Sequence, residues 1–341
     1  MFIEKGTFIL EKELKVYAEL LQRYIVTLDE RFLYRAEQIS NVFIKNDILP
    51  AELIRIHIES MKQINIEMNE ETKYAMDFLL EAMIAYGVAH QNYNLIKEEQ
   101  LMLKNEINIA ANMQAEFLKT KVPESKSFDI GVISMPYSQM NGDYFHFISN
   151  QDGKLGVAIA DVVGKGVPAA LSMSMIKYSL DSVHESNYKP RKILKQLNRV
   201  VEQNVASNMF ITMFYAEYDP DNKLLTYASA GHEPGFFYDA KTDEFSEIKA
   251  EGLVLGVLDH TDYTEYQKEM NPGDLVVLLT DGVTECKYND RFITREEVLD
   301  IIKKYMYLSP ENHVAAVYNH FANLKGFELK DDFTLIILRK K

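Results

Sequence analysis

Ala160-Asp161-Val162-Val163-Gly164-Lys165-Gly166 is the stretch that decides the fold. An apolar run from Gly156 ends on Asp161, glycines follow, and a helical pattern starts at Pro168 and reaches about His184. A strand that ends on an acid and turns directly into a helix holds a carboxylate at a rigid sheet edge. Working outward, Phe128–Ser134 and Tyr144–Ser149 precede it as strand candidates. Phe210–Tyr218, Lys223–Ala228, Gly235–Tyr238, Leu275–Thr280 and Thr334–Arg339 follow it. Further helices are expected from Arg191 to about Ala206, Thr294 to Tyr307 and Pro310 to Leu324. Strands that neighbour one another, with helices in separate blocks, predict an α+β domain of sheet layers covered by helices over residues 121–341.

Upstream the texture is helical. Leu10, Leu14, Tyr17, Leu21, Tyr24, Ile25 and Leu28 recur at three- and four-residue spacing, one apolar stripe. Asn46-Asp47-Ile48-Leu49-Pro50 reads as a break, with Pro50 suited to a first helical turn. The pattern resumes through Leu53, Ile56, Ile58 and Met61, pauses near Asn69, and continues through Met76, Leu79, Leu80, Met83 and Ile84. An all-α bundle of three or four helices is expected over residues 1–85. No proline interrupts Glu71 to Val122, so the last helix should run on as a connector over 86–120. Tyr86, Ala89, Tyr93, Ile96, Gln100, Leu103, Ile107, Ala110, Gln114 and Phe117 form a seam of alternating three and four spacing. Polar only at the two glutamines, it fits a weak or switchable coiled coil, hence a homodimer. The alternative is a helix lying on its own neighbouring domain.

With 341 residues, 47% hydrophobic and 26% charged, the chain has room for two globular domains. A net charge of −14 argues against sequence-independent binding to nucleic acid or to anionic membrane. Cys286 is the single cysteine, so no intrachain disulfide or zinc ribbon can form. With no secretory signal pattern and no bilayer-length apolar run, the chain reads as cytoplasmic.

Acids recur at strand ends and tight loops: Gly142-Asp143-Tyr144, Ala160-Asp161-Val162, Leu279-Thr280-Asp281-Gly282 and Asp331-Asp332-Phe333-Thr334. Each alone is ordinary turn chemistry. Carboxylates that converge repel one another unless a cation lies between them, and hard oxygen donors suit Mg²⁺ or Mn²⁺.

Taken in order, Asn141-Gly142-Asp143-Tyr144, Asp161-Val162-Val163-Gly164-Lys165-Gly166, Ser229-Ala230-Gly231-His232, Thr280-Asp281-Gly282-Val283-Thr284-Glu285 and Asp331-Asp332-Phe333-Thr334 resemble the bacterial, SpoIIE-like branch of the metal-dependent PPM phosphatases. The helical N-terminal third and Glu106-Ile107-Asn108-Ile109-Ala110-Ala111-Asn112 resemble the members that switch on a general-stress sigma factor. The resemblance implies a β-sandwich flanked by helices, with two Mn²⁺ or Mg²⁺ ions at one end. Asp161 would bridge the ions, the Val162 carbonyl and Asp143 would complete the second site, and Asp281 with Asp331 would hold the first. Asp332 is the alternative to Asp331. It further implies a protein phosphoserine phosphatase whose substrate is a phosphorylated anti-sigma-factor antagonist. Its activator would be a kinase-like partner on the N-terminal domain.

Two positions depart from the eukaryotic branch. Val163 stands where that branch has a histidine, and Ser138-Gln139-Met140 where it has an arginine. Lys165 is a candidate phosphate contact, although a loop lysine is commonly just solvated. His232 reads as a packed structural histidine, with a catalytic role as the sharper alternative. Cys286 reads as a small half-buried side chain. The helix after the Asp161 loop would drag that loop if it moved, which offers a route from a packed connector to the metals. A catalytically silent scaffold of the same fold is the competing function. Hydrolysis of a small phosphate such as a nucleotide is a third, without a P-loop to support it.

Overall fold

The computed structural model describes residues 2–45, 48–138, 140–149, 152–164, 166–183, 189–205, 209–288, 291–324 and 326–341; of residues 2–14, 40–42, 44–45 and 288 only the backbone is described. The chain divides into two units, residues 1–105 and 106–341, each described by itself.

Four helices come first: α1 (Phe2–Thr27), α2 (Arg31–Lys45), α3 (Pro50–Gln63) and α4 (Glu70–Phe117). Of the expected break, Asn46 and Asp47 lie outside the described residues, and Pro50 opens α3 as its first helical residue. The pause near Asn69 is a cap, whose Oδ1 accepts the Thr72 amide at 2.8 Å. Ile39, Phe43 and Ile56 are the buried centre of this unit, with Tyr17, Leu20, Ile48 and Leu53 packed around them.

The second unit begins within α4 and continues through β1 (Phe128–Met135), β2 (Asp143–Ser149), β3 (Leu155–Val162), α5 (Val167–Asp181), α6 (Pro190–Asn204), β4 (Ile211–Asp219) and β5 (Leu224–Ala230). It goes on with β6 (Gly235–Asp239), β7 (Glu244–Ile248), β8 (Tyr266–Glu269), β9 (Leu275–Leu279) and α7 (Asp281–Thr284). β10 (Lys287–Tyr288), β11 (Arg291–Phe292), α8 (Arg295–Lys304), α9 (Pro310–Ala322) and β12 (Phe333–Lys340) complete it. The strands form two antiparallel five-stranded sheets, β1-β12-β9-β6-β7 and β2-β3-β4-β5-β8, and β10 pairs with β11.

Alternation along the central strands explains the layers. In β12, Ile336 and Leu338 face the other sheet, where Val157, Ile159 and Phe214 meet them. Leu335 and Ile337 of the same strand face outward, under Val298, Ile302, Val314 and Val317 of α8 and α9. On the opposite side, Ala158, Ala160, Met213 and Tyr215 lie beneath Ile176 of α5 and Leu194 and Leu197 of α6. These strands are therefore apolar on both faces, so they read as unbroken hydrophobic runs. Four layers result, helix–sheet–sheet–helix. All eight expected strands and all four expected helices are present, so the architecture matches the expected helix-flanked sandwich.

No described helix is long and apolar enough to cross a membrane. The N-terminal core is small enough for one side chain to decide it. Phe43→Ala should cost about 3–5 kcal/mol, enough to unfold α1–α3 while the sheets persist. Hydrogen exchange should show lost protection in α1–α3 and unchanged protection in β3 and β9. Retained protection in α1–α3 would contradict this account of the unit.

Candidate metal centre

β2 and β3 are neighbours, and their register sets Asp143 directly opposite Asp161. In the other sheet Leu279, the end of β9, pairs with Leu335 of β12. Asp281, which opens α7, and Asp331-Asp332, just ahead of β12, therefore leave that sheet at the same end. Thr280 joins the two sheets there. Its hydroxyl donates to Asp143 Oδ2 at 2.7 Å and accepts the Thr334 amide at 3.1 Å. A Cβ at Gly282 would stand 1.9 Å from the Asp332 carbonyl oxygen, so only glycine lets α7 approach this closely. Gly166, at φ 78°, turns the chain into α5.

Asp331 and Asp332, equivalent in the sequence, differ in their bonding. The Asp332 carboxylate accepts the amide of Tyr137 through one oxygen, at 2.7 Å, and that of Gly142 through the other. It is a strut for the loop between β1 and β2. Asp331 Oδ1 accepts the Asp332 amide at 2.9 Å.

The electrostatics record the convergence. Burial first, then the charges of Asp281, Asp331 and Asp332, push the Asp161 carboxyl up to about 7. Burial and then Asp161 hold Asp143 well above the usual carboxylate range, while hydrogen bonds from Thr334 and Thr280 pull the other way. The donors fit hard divalent cations in kind: carboxylates from both sheets, and the carbonyl of Val162 beside Asp161. Among the described residues no three His, Cys, Asp or Glu side chains close tightly enough around one point to hold an ion.

Several expectations resolve here. Lys165 and Gln139 lie outside the described residues. His232 is buried, bonded through Nδ1 to the Thr212 hydroxyl at 2.9 Å, and held down at about 4 by burial, which fits a neutral packed imidazole. Cys286 is fully buried rather than half-buried, its thiol donating to the Gly282 carbonyl at 2.9 Å and pushed up to about 12. Gln114 does not stand in an open seam; it is buried against the loop between β1 and β2 of its own unit, bonded to Asn141. Sequence reasoning passed over Thr280 and Thr334, though both stand beside quoted acids in strand-end positions.

The sandwich has counterparts of known structure. The SiaA-PP2C domain of Pseudomonas aeruginosa superposes with a TM-score of 0.60 at 17% identity, covering 71% of this chain and 98% of that one. The RsbU and RsbW domains of a Mycobacterium tuberculosis protein give 0.57 at 22% identity, covering 64% and 63%. Both likenesses establish the PP2C fold. Residues 151–341 match the family model for stage II sporulation protein E, and residues 15–89 match that for the N-terminal domain of phosphoserine phosphatase RsbU. Phosphoserine phosphatase RsbU of Bacillus subtilis is 47% identical over 325 residues, 95% of this chain and 97% of that protein. The chain belongs to the RsbU family of phosphoserine phosphatases. Phosphatases of the PPM type, to which RsbU belongs, use divalent metal ions.

An RsbU-type centre stripped of metal should show its repulsion as a pH dependence. Folded Asp161 titrates at about 7, against about 3.9 for an unfolded aspartate. The native state holds the extra proton between those limits, so stability is full below about 4 and is lost as pH rises through about 7. The loss is on the order of 4 kcal/mol. Melting in excess chelator should therefore fall from pH 4 to 7, and Asp161→Asn should flatten the slope. An equal slope in that variant would place the repulsion elsewhere.

Proposed function

We propose that this phosphatase removes phosphate from phosphoserine on a partner protein, a phosphorylated anti-sigma-factor antagonist, using two Mn²⁺ or Mg²⁺ ions. The observation that carries the metal centre is the meeting of acids from both sheets: Asp143 stands opposite Asp161 in one, Asp281 and Asp331 leave the other at the same end, and Thr280 bonds across to Asp143. In this reading Asp161, and Asp143 with the Val162 carbonyl, would hold the ions. Asp281 and Asp331 would complete the set. Asp332 is left to hold the loop, because both its oxygens take backbone amides. When bound, the ions would acidify water and neutralise the phosphoryl group, so no side-chain nucleophile is needed. Hydrogen bonds from Thr334 and Thr280 favour the ionised form of Asp143 and offset part of the opposing effect of its burial.

Asp161→Asn and Asp281→Asn should each lower turnover of a phosphoserine protein more than about 100-fold, beyond the range for partners one shell further out. Circular dichroism should show both folded, and excess chelator should silence the parent protein. Full turnover in chelator, or preference for nucleotides over the phosphoprotein, would sink the assignment.

Regulation follows the same division. Residues 1–85 would receive a kinase-like activator in the cytoplasm as part of a stress response, and two connectors over 86–120 would pair. Support comes from Tyr86, Tyr93, Ile96 and Leu103, each more than half exposed along α4. If pairing activates, Gln100→Leu should tighten dimerisation in ultracentrifugation and raise activator-free turnover. A tighter dimer with unchanged turnover would separate pairing from activation.

A further inference from the structure

We propose that Gln114, near the end of α4, is a positioning residue of the metal centre: its carboxamide clamps the backbone of Asn141 and so fixes where Asp143 stands. The proposal rests on the metal-centre reading above.

Gln114 Nε2 donates to the Asn141 carbonyl at 2.8 Å, and the Asn141 amide donates to Gln114 Oε1 at 3.2 Å. A primary carboxamide carries one donor group and one acceptor, so it meets both backbone groups of a single residue as a neighbouring strand would. The side chain is 8% exposed, so water does not compete for either bond.

Asn141 passes the constraint on. Its Oδ1 accepts the Asp143 amide at 2.9 Å, and its Nδ2 donates to Ser134 Oγ at 3.0 Å. Ser134 in turn meets Thr334 Oγ1 at 2.9 Å. Gly142, between the two, donates to Asp332 and accepts the Val162 amide at 3.3 Å. One side chain of α4 thus fixes the pair Asn141-Gly142, which is bonded to Asp332, to Val162 beside Asp161, and to the backbone of Asp143.

The same face of α4 also reaches α5. Ala111 packs with Met140 and with Ala170 of α5, the helix that follows the Asp161 loop. Beside the clamp lies a cavity of about 300 Å³, lined by Gln114, Leu118, Ser134, Asn141 and Asp143. A leucine would satisfy burial at position 114. What it lacks is a partner for Asn141, and Asn141 stands two residues before a proposed ligand.

The full-length protein carrying Gln114→Leu or Gln114→Glu tests this. The glutamate variant keeps the acceptor for the Asn141 amide and loses the donor for its carbonyl, at nearly constant volume. In metal-free protein, hydrogen exchange over 140–144 should quicken at least tenfold in the leucine variant and less in the glutamate variant. Calorimetry should show Mn²⁺ affinity weakened about 10–100-fold in the leucine variant. Turnover should recover at saturating Mn²⁺, so the metal requirement moves more than kcat. Unchanged exchange and Mn²⁺ affinity in a folded leucine variant would overturn the proposal, as would a lowered melting temperature with neither shift. If the leucine variant does not fold, the glutamate variant decides by the same criteria. A parent protein that binds no Mn²⁺ would instead overturn the metal-centre reading and this proposal with it.

Discussion

The hydroxyl of Thr280 holds together the end of the sandwich where the acids meet. It donates to Asp143 of one sheet and accepts from Thr334 of the other, in a position with no solvent exposure. Asp143 is 3% exposed and stands opposite Asp161, so burial and charge both favour its neutral form. A hydrogen bond to an ionised group contributes about 1.5–3 kcal/mol, enough to offset part of that. The remainder must come from rigidity. β3, β9 and β12 carry apolar residues on both faces, each buried side chain worth about 1.5–3 kcal/mol. Strands packed this way cannot splay to separate their terminal carboxylates.

That packing is also why most of the domain was legible. A strand buried on both faces must be apolar throughout, as Leu275–Leu279 is, and no helical period fits so short a run. Within the two five-stranded sheets, the two strands that escaped notice each lie at one edge. Glu244–Ile248 and Tyr266–Glu269 carry glutamates on exposed positions and a half-buried lysine, which keeps an edge from pairing with other chains and erases its strand signature. Their assignment depends on the partners β6 and β5, which no local pattern discloses.

The site divides along the same line. The acids were visible because a carboxylate at the end of an apolar run is conspicuous. Their roles were not, since Asp331 and Asp332 differ only in which backbone amides they meet, and Tyr137 and Gly142 are remote in sequence. Gln114 shows the limit most plainly. Its spacing places it in the α4 seam with Gln100, yet Gln114 is buried on Asn141 while Gln100 is exposed. A polar residue in a helical stripe has the same pattern whether it faces a second helix or a loop of its own domain.

The acidic cluster also constrains the order of events. A phosphoserine dianion approaching four carboxylates in a chain of net charge −14 is repelled unless cations already lie among them. In the proposed centre, the side chains that hold cations would therefore control substrate admission as well as chemistry. In the proposed centre Asp143 would be the sensitive member, since it opens β2 and is bonded by Thr280 and Asn141, whereas Asp161 lies inside β3 between two partner strands. A disturbance of the loop before β2 would thus act first on metal affinity. Such a control point sits upstream of phosphate binding, so a loosened loop leaves the enzyme closed to its substrate rather than merely slow.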